Sequence, residues 1–216
     1  MERTGPFKGR TIAVVNDLSL DEQRYLYRKA AELKRLAREG GDVSAFKIND
    51  PDYQAYLIFM EDSTRTKESF RNAAKFLGCR TNVFDAASSS FNKNESITDA
   101  IKMLYGYSTE SCFILRTKLE GVCRWLQGAL ARYAEISGGP RPGFINAGDG
   151  KHEHPTQEFL DEFSFLEQLG WRDEHIHIAL TGDLYHGRTV HSKADGLRVF
   201  SNVEVDLVAP ELLSMP

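Results

Sequence analysis

Three short segments carry side chains whose types and spacing suit anion and carbonyl chemistry: Ser63-Thr64-Arg65-Thr66-Lys67, His154-Pro155-Thr156-Gln157 and Gly182-Asp183-Leu184-Tyr185-His186-Gly187-Arg188-Thr189. Each falls where a short apolar run passes into an amphipathic helix. First-turn N–H groups have no intrahelical acceptor, and the helix dipole adds positive potential there, so such junctions favour an anion. In the first segment, hydroxyls beside a guanidinium can surround a phosphate dianion. An ordinary capped helix with a solvated arginine would show the same string. In the second, Pro155 suits the first helical position, which puts His154 just before the helix and Gln157 on its first turn. The imidazole can polarise a carbonyl oxygen while the amide oxygen accepts from an NH2 group. Two other readings stay open: His154 as a structural contact, or His152 and His154 as a His-x-His metal pair. The metal reading lacks a third ligand at sensible spacing and any HExxH. In the third segment, Arg188 at a helix start can grip a carboxylate in bidentate fashion, and no GxGxxG marks a nucleotide loop.

The elements that must position these groups alternate along the chain. Ser19 and Glu22 form a capping box ahead of a helix carrying Leu26, Ala30, Leu33 and Ala37 until Gly40-Gly41 stops it. Ala55–Met60 reads as a strand buried on both faces. A helix from about Thr64 follows, with Phe70, Ala73, Ala74 and Leu77 on one stripe and Gly78 closing it. Thr81–Phe84, Cys112–Leu115 and Phe144–Asn146 read as strands. Helices carry Ile97, Ala100, Ile101 and Leu104; then Leu119, Val122, Cys123, Leu126 and Leu130; then Phe159, Leu160, Phe163 and Leu166. Beyond residues 169–173, His175–Leu180 reads as a strand, Arg188–Phe200 as a helix and Val203–Val208 as a strand. His175 and His177 alternate along theirs as plain surface residues. This order argues for an α/β protein with a parallel sheet flanked by helices through right-handed crossovers. Arg116 then ends a strand, where it can reach a site at the sheet's carboxyl edge, although a lone arginine there also suits a solvated surface. Residues 1–170 form the first domain and 171–216 a second, whose lone strand–helix–strand should need further packing to be stable.

Composition narrows the partners. The 216 residues hold 41% hydrophobic and 27% charged residues, ordinary for a globular protein. A net charge of −4 gives no basic footprint, so nucleic acid is not expected as a partner. An anionic small substrate is compatible with that charge, because local arginines set the field at a site. No apolar run is long enough to span a bilayer, and the first residues lack a signal peptide's apolar stretch, so no membrane association is expected. The three cysteines show no CxxC spacing, which favours buried reduced thiols in a cytoplasmic protein over a disulfide framework or zinc site.

Taken together, the segments resemble the transcarbamoylases, most closely aspartate carbamoyltransferases. Ser63–Lys67 is similar to that family's Pro-Ser-Thr-Arg-Thr-Arg loop, with Asp62 in the proline position and Lys67 in that of the last arginine. Asp149-Gly150 through His154-Pro155-Thr156-Gln157 matches the aspartate-type Asp-Gly-x-x-x-His-Pro-Thr-Gln, and Gly182–Ser192 matches Gly-Asp-Leu-x-x-Gly-Arg-Thr-Val-His-Ser. The resemblance implies a carbamoyl-phosphate-binding domain followed by the start of a Rossmann-like aspartate-binding domain. It implies carbamoyl transfer from carbamoyl phosphate to L-aspartate in pyrimidine biosynthesis, without metal or cofactor. Ser63, Thr64, Arg65 and Thr66 would take the phosphate, Arg116 and His154 the carbamoyl oxygen, Gln157 the carbamoyl nitrogen, and Arg188 an aspartate carboxylate. Arg65, Thr66, Arg116 and His154 would be the catalytic set. Ser88–Ser96, by itself a flexible connection, would reach an adjacent subunit and bring Ser89 to the phosphate and Lys93 to both substrates. Asn94 replaces the usual glycine after that lysine. A homotrimer with shared sites follows, and a regulatory subunit as a further partner is left open. Later family segments have no counterpart here, so a complete donor site, an incomplete acceptor site and little turnover are expected. The alternatives are an ornithine carbamoyltransferase and a non-catalytic carbamoyltransferase-like binding subunit.

Overall fold

The computed structural model describes residues 7–85, 96–172 and 175–215, with the side chains of Asp85 and Arg188 outside that description. In chain order the elements are β1 (Thr11–Ile12), α1 (Leu20–Glu39), β2 (Tyr53–Phe59), α2 (Thr64–Leu77), β3 (Arg80–Asp85), α3 (Ile97–Tyr105), β4 (Glu110–Thr117), α4 (Val122–Ser137), β5 (Gly143–Asp149), α5 (Pro155–Gln168), β6 (Ile176–Thr181), α6 (Arg188–Gly196) and β7 (Val203–Val208). They gather into two compact units, residues 1–13 with 42–149 and residues 14–41 with 150–216.

The first unit is a five-stranded sheet in the order β1-β5-β4-β2-β3, with every neighbouring pair parallel. Residues Gln54 to Phe59 of β2 are all buried, as a strand covered on both faces requires. Alternation sorts their side chains. Ala55, Leu57 and Phe59 meet Phe70 and Ala74 of α2. Tyr56 and Ile58 meet Ile101 and Leu104 of α3, with Leu126 and Leu130 of α4 in the same cluster. The rings of Tyr56, Phe113 and Phe144 stack across three strands at centroid separations of 4.9 and 5.4 Å. Each fully buried large side chain stabilises this core by about 1.5–3 kcal/mol. The apolar runs expected as strands in this unit are strands whose ladders extend beyond their apolar centres, although β2 ends at Phe59, one residue before the expected Met60. A helix boundary also differs: Leu119 was expected on the helical stripe, but α4 begins at Val122 and Leu119 is exposed. Gly121 precedes the helix at φ 75°, a left-handed turn that costs a residue with a Cβ more than it costs glycine. None of the three cysteines is in a disulfide; Cys123 is buried, and Cys79 and Cys112 are half-buried.

The second unit packs α1, α5 and α6 with a two-stranded parallel sheet of β6 and β7. Tyr27, Leu197, Val199 and Phe200 form its core with Phe159, Phe163, Leu166, Ile176 and Ile178 around them. Ser19 caps α1 in a capping box with Glu22. The face that α1 buries lies one position away from the expected stripe: Gln23 and Tyr27 are buried, whereas Ala30 and Ala37 are exposed. Gln23 is accommodated because its amide donates to the Leu18 carbonyl at 2.9 Å, and Lys34 on the same side pairs with Glu167 of α5 at 2.6 Å. The helix expected to run to Phe200 ends at Gly196 and tightens into a 3-10 turn over Leu197–Val199. His175 and His177 are half-exposed, and each faces a carboxylate on β7, Glu204 at 3.6 Å and Asp206 at 2.7 Å. Among the described residues no helix is long and apolar enough to cross a membrane.

Candidate functional site

In the first unit the site begins at the sheet's topological switch point. β2 and β4 are neighbours, but β2 leads through α2 to β3 on one side while β4 leads through α4 to β5 on the other. Connections that part in this way open a crevice beyond the strands' carboxyl ends, where α/β sheets take ligands. Phe59 of β2 is in register with Arg116 of β4 at that edge. The chain then turns through Met60–Asp62 into α2, with Ser63 at its N-cap. The hydroxyls of Ser19 and Ser96 each accept a first-turn N–H of their helices, but that of Ser63 makes no such cap. No acidic residue stands in the first turn of α2. Thr64 and Arg65 are exposed and Thr66 is half-buried, so the turn presents donors and a cation outward.

Arg116 is held rather than free. A guanidinium nitrogen donates to the Ala147 carbonyl of β5 at 3.0 Å, and Nε lies 3.8 Å from Glu61. The β4–β5 register shifts between Leu115 and Thr117. The shift sets Ala147 and Gly148 of β5 against Arg116 alone. Asn146 lies in a strand as expected, and β5 runs on past it to Asp149. The Asn146 amide donates to the Ala13 carbonyl at 2.8 Å and to Asp149 at 2.9 Å, and Asp149 accepts the Gly121 N–H at 2.8 Å. These buried contacts fix the strand end on which Arg116 leans. Glu61, Asn146 and Asp149 were not singled out as partners of Arg116 or its strand; a carboxylate directly before the hydroxyl-rich turn was the available signal.

In the second unit His154 is the N-cap of α5, Pro155 its first residue and Gln157 its third. His154 is buried, its backbone N–H reaches Ser192 Oγ at 3.4 Å, and its Nδ1 lies 3.3 Å from the Thr156 hydroxyl. When that hydroxyl donates to Nδ1, the ring proton resides on Nε2, the tautomer that can donate to a carbonyl oxygen. Gln157 Nε2 donates to Asp161 at 2.9 Å. Arg188 opens α6 after Gly187. A Cβ on Gly187 would lie 2.7 Å from the Asp183 carbonyl, so the turn closes only around glycine. Asp183 in turn accepts the His186 N–H at 3.0 Å. Ser89 and Lys93 lie outside the described residues.

A model of the carbamoyl-phosphate-binding domain of aspartate/ornithine carbamoyltransferases matches residues 10–167. The chain belongs to this family. Among curated relatives it is 58% identical over 213 residues to protein PyrBI of Thermotoga maritima, covering 97% of this chain and 40% of that protein. It is 39% identical to the aspartate carbamoyltransferase catalytic subunit of Thermococcus kodakarensis, covering 97% of this chain and 62% of that subunit. Among solved structures, aspartate transcarbamoylase of Trypanosoma cruzi in complex with carbamoyl phosphate and aspartate superposes with a TM-score of 0.76 at 33% identity. That match covers 97% of this chain and 64% of that one. The catalytic subunit from M. jannaschii gives 0.76 at 32% identity, covering 96% and 62%. The chain therefore spans about two fifths of PyrBI and under two thirds of these carbamoyltransferases. The fold is that of the carbamoyltransferases: a parallel sheet flanked by helices, followed by a β-α-β segment.

The chain also carries a buried charge cluster that the motifs did not reveal. Lys193 of α6 lies 2.9 Å from Glu158, 3.0 Å from Asp161 and 3.6 Å from Glu162 of α5. Glu158 and Glu162 are almost fully buried. Burial, with the neighbouring Glu158, pushes the Glu162 carboxyl up to about 9, so it holds its proton at neutral pH. Burial also raises Glu158, against the opposing effect of Lys193. For Lys193, desolvation works against the ammonium, but Glu158 and Asp161 outweigh it and hold the pKa above its ordinary value. The signal was present in sequence: carboxylates at i, i+3 and i+4 share one helix face.

Proposed function

We propose that the chain carries the carbamoyl-phosphate site of an aspartate carbamoyltransferase, which transfers the carbamoyl group to L-aspartate and yields N-carbamoyl-L-aspartate and phosphate in pyrimidine biosynthesis. The observation that carries this reading is the uncapped, acid-free first turn of α2 beside the buttressed Arg116 at the switch point. Ser63, Thr64, Arg65 and Thr66 bind the phosphate. Arg116 and His154 donate to the carbamoyl oxygen, Gln157 accepts from the carbamoyl NH2, and Arg188 holds an aspartate carboxylate. The amine attacks the carbamoyl carbon, oxyanion charge grows toward Thr66, Arg116 and His154, and phosphate departs toward Arg65. Alignment of the two reactants contributes up to about 7–11 kcal/mol to such a step; preorganised donors supply the rest.

Residues 1–170 serve the donor and 171–216 begin the part that serves the acceptor, a reading supported by the match of the carbamoyl-phosphate-binding family model to residues 10–167. Ser89 and Lys93 act in an adjacent subunit of a cytoplasmic homotrimer. The relatives named for aspartate favour that acceptor over ornithine, and retention of Arg65, Arg116, His154 and Gln157 together argues against a non-catalytic subunit. Calorimetric titration with phosphonoacetamide, a stable isostere of carbamoyl phosphate, tests the donor site: saturable binding is expected, and none would remove the reading. In a transfer assay any product formed is N-carbamoyl-L-aspartate; preferential formation of citrulline from ornithine would overturn the choice of acceptor.

A further inference from the structure

The side chain of Gln157 has its orientation imposed on it. Its Nε2 lies 2.9 Å from Asp161 Oδ1, while the other oxygen, Oδ2, is held 3.0 Å from Lys193 Nζ. A carboxylate has no hydrogen to give, so only the NH2 end of the amide can face it. The carbonyl oxygen Oε1 is thereby turned the other way, and reversing the amide would set two acceptors against each other. Lys193 is itself fixed: its side chain is 8% exposed, it contacts Glu158 at 2.9 Å, and it lies over the Phe165 ring at 4.9 Å. Gly196, on the same helix, makes room for this arrangement, since a Cβ there would run into the Glu158 carboxyl group. Ser192, next to Lys193, receives the His154 backbone N–H at 3.4 Å. Helix α6 thus sets both the backbone at the start of α5 and the amide on its first turn.

We propose that Asp161 and Lys193 are positioning residues that select for an NH2 group on the ligand, by holding Gln157 with its carbonyl oxygen toward that group. This rests on the reading of Gln157 as the contact for the carbamoyl nitrogen. The consequence is discrimination between an amide and a ketone of the same shape. One hydrogen bond made to the right partner and lost with the wrong one corresponds to about tenfold in affinity.

The test compares phosphonoacetamide with phosphonoacetone, which carries a methyl group in place of the NH2, by calorimetric titration of the 216-residue chain. The unmodified chain is expected to prefer the amide by about tenfold. Asp161→Asn presents an NH2 of its own to Gln157, allows the amide to reverse, and is expected to abolish the preference while leaving phosphonoacetone binding unchanged. Gln157→Ala should also lose the preference for the amide. If Asp161→Asn keeps the wild-type preference, the positioning role is wrong while the functional reading stands; if the unmodified chain binds neither compound, both fall. Substituting Lys193 leaves buried carboxylates unpaired and risks unfolding, so a measurement on the unmodified chain covers it. The side-chain NH2 signal of Gln157, identified by its loss in Gln157→Ala, should exchange with solvent much more slowly than that of the exposed Gln168, and exchange at the same rate would overturn the proposal.

Discussion

Arg65 and Arg116 are both arginines at the candidate carbamoyl-phosphate site, yet they should fail differently when removed. Arg65 is exposed on the first turn of α2, so Arg65→Ala should lower phosphonoacetamide affinity by about 10–100-fold, the worth of a charge-assisted bond, and leave the melting temperature unchanged. Arg116 is 12% exposed and ties β4 to the Ala147 carbonyl, so Arg116→Ala should weaken binding and also lower the melting temperature. Calorimetry paired with thermal unfolding of both variants checks this; equal melting temperatures would show that the Ala147 contact carries no stability. Glu162 gives a pH-dependent case. Its folded-state pKa, about 9, lies above the ordinary carboxyl value of 4.5. The folded state therefore binds the extra proton, and its stabilising effect is full below about pH 4.5 and is lost as pH rises toward 9. Glu162→Gln removes this dependence. Relative to the unmodified chain, the variant should gain about 1 kcal/mol or more between pH 5 and pH 8 in urea unfolding.

Helix starts show how one residue type serves two ends. Ser19 accepts a first-turn N–H and completes a capping box, whereas Ser63 sits at an N-cap without capping. Ser19→Ala should cost about 1 kcal/mol of stability and leave ligand binding unchanged; Ser63→Ala should leave stability unchanged and weaken phosphonoacetamide binding. Urea unfolding and titration of the two variants separate these outcomes, and a stability loss in Ser63→Ala as large as in Ser19→Ala would mean that both are ordinary caps. The face buried by α1 makes a related point. Its stripe of Leu26, Ala30, Leu33 and Ala37 is regular, yet Gln23 and Tyr27 face the unit's core. A helix's apolar period says that some face will be buried, but the neighbouring helix chooses which.

At the scale of the whole molecule, β6 and β7 form a two-stranded parallel sheet in which Val205, Leu207 and Val208 are 40–55% exposed. A sheet this small depends on the helices around it, and here Ile176, Ile178 and Val203 supply that packing against Leu197 and Phe200. The proposed trimer is tested by complementation. In a site that takes Arg65 from one chain and Lys93 from its neighbour, Arg65→Ala and Lys93→Ala proteins are each defective. Equal mixing with subunit exchange should restore about a quarter of the sites by random pairing in a symmetric ring. Ligand titration before and after exchange measures this, and no recovery despite exchange would remove the shared site.

Much of this was written locally. Alternating apolar runs and amphipathic stripes determined the strands and helices, because burial on both faces of a parallel strand needs a continuous apolar run and a helix needs a period near 3.6. The hydroxyl, imidazole and amide positions at helix starts were also legible, since first-turn geometry depends on only a few adjacent residues. What sequence left open were relations between segments distant along the chain. The sheet order put Arg116 beside Phe59, the Ala147 carbonyl held its side chain, and Lys193 met carboxylates an entire element away. No local periodicity encodes such pairings, because they arise only when packing brings elements together and excludes water from between their charges.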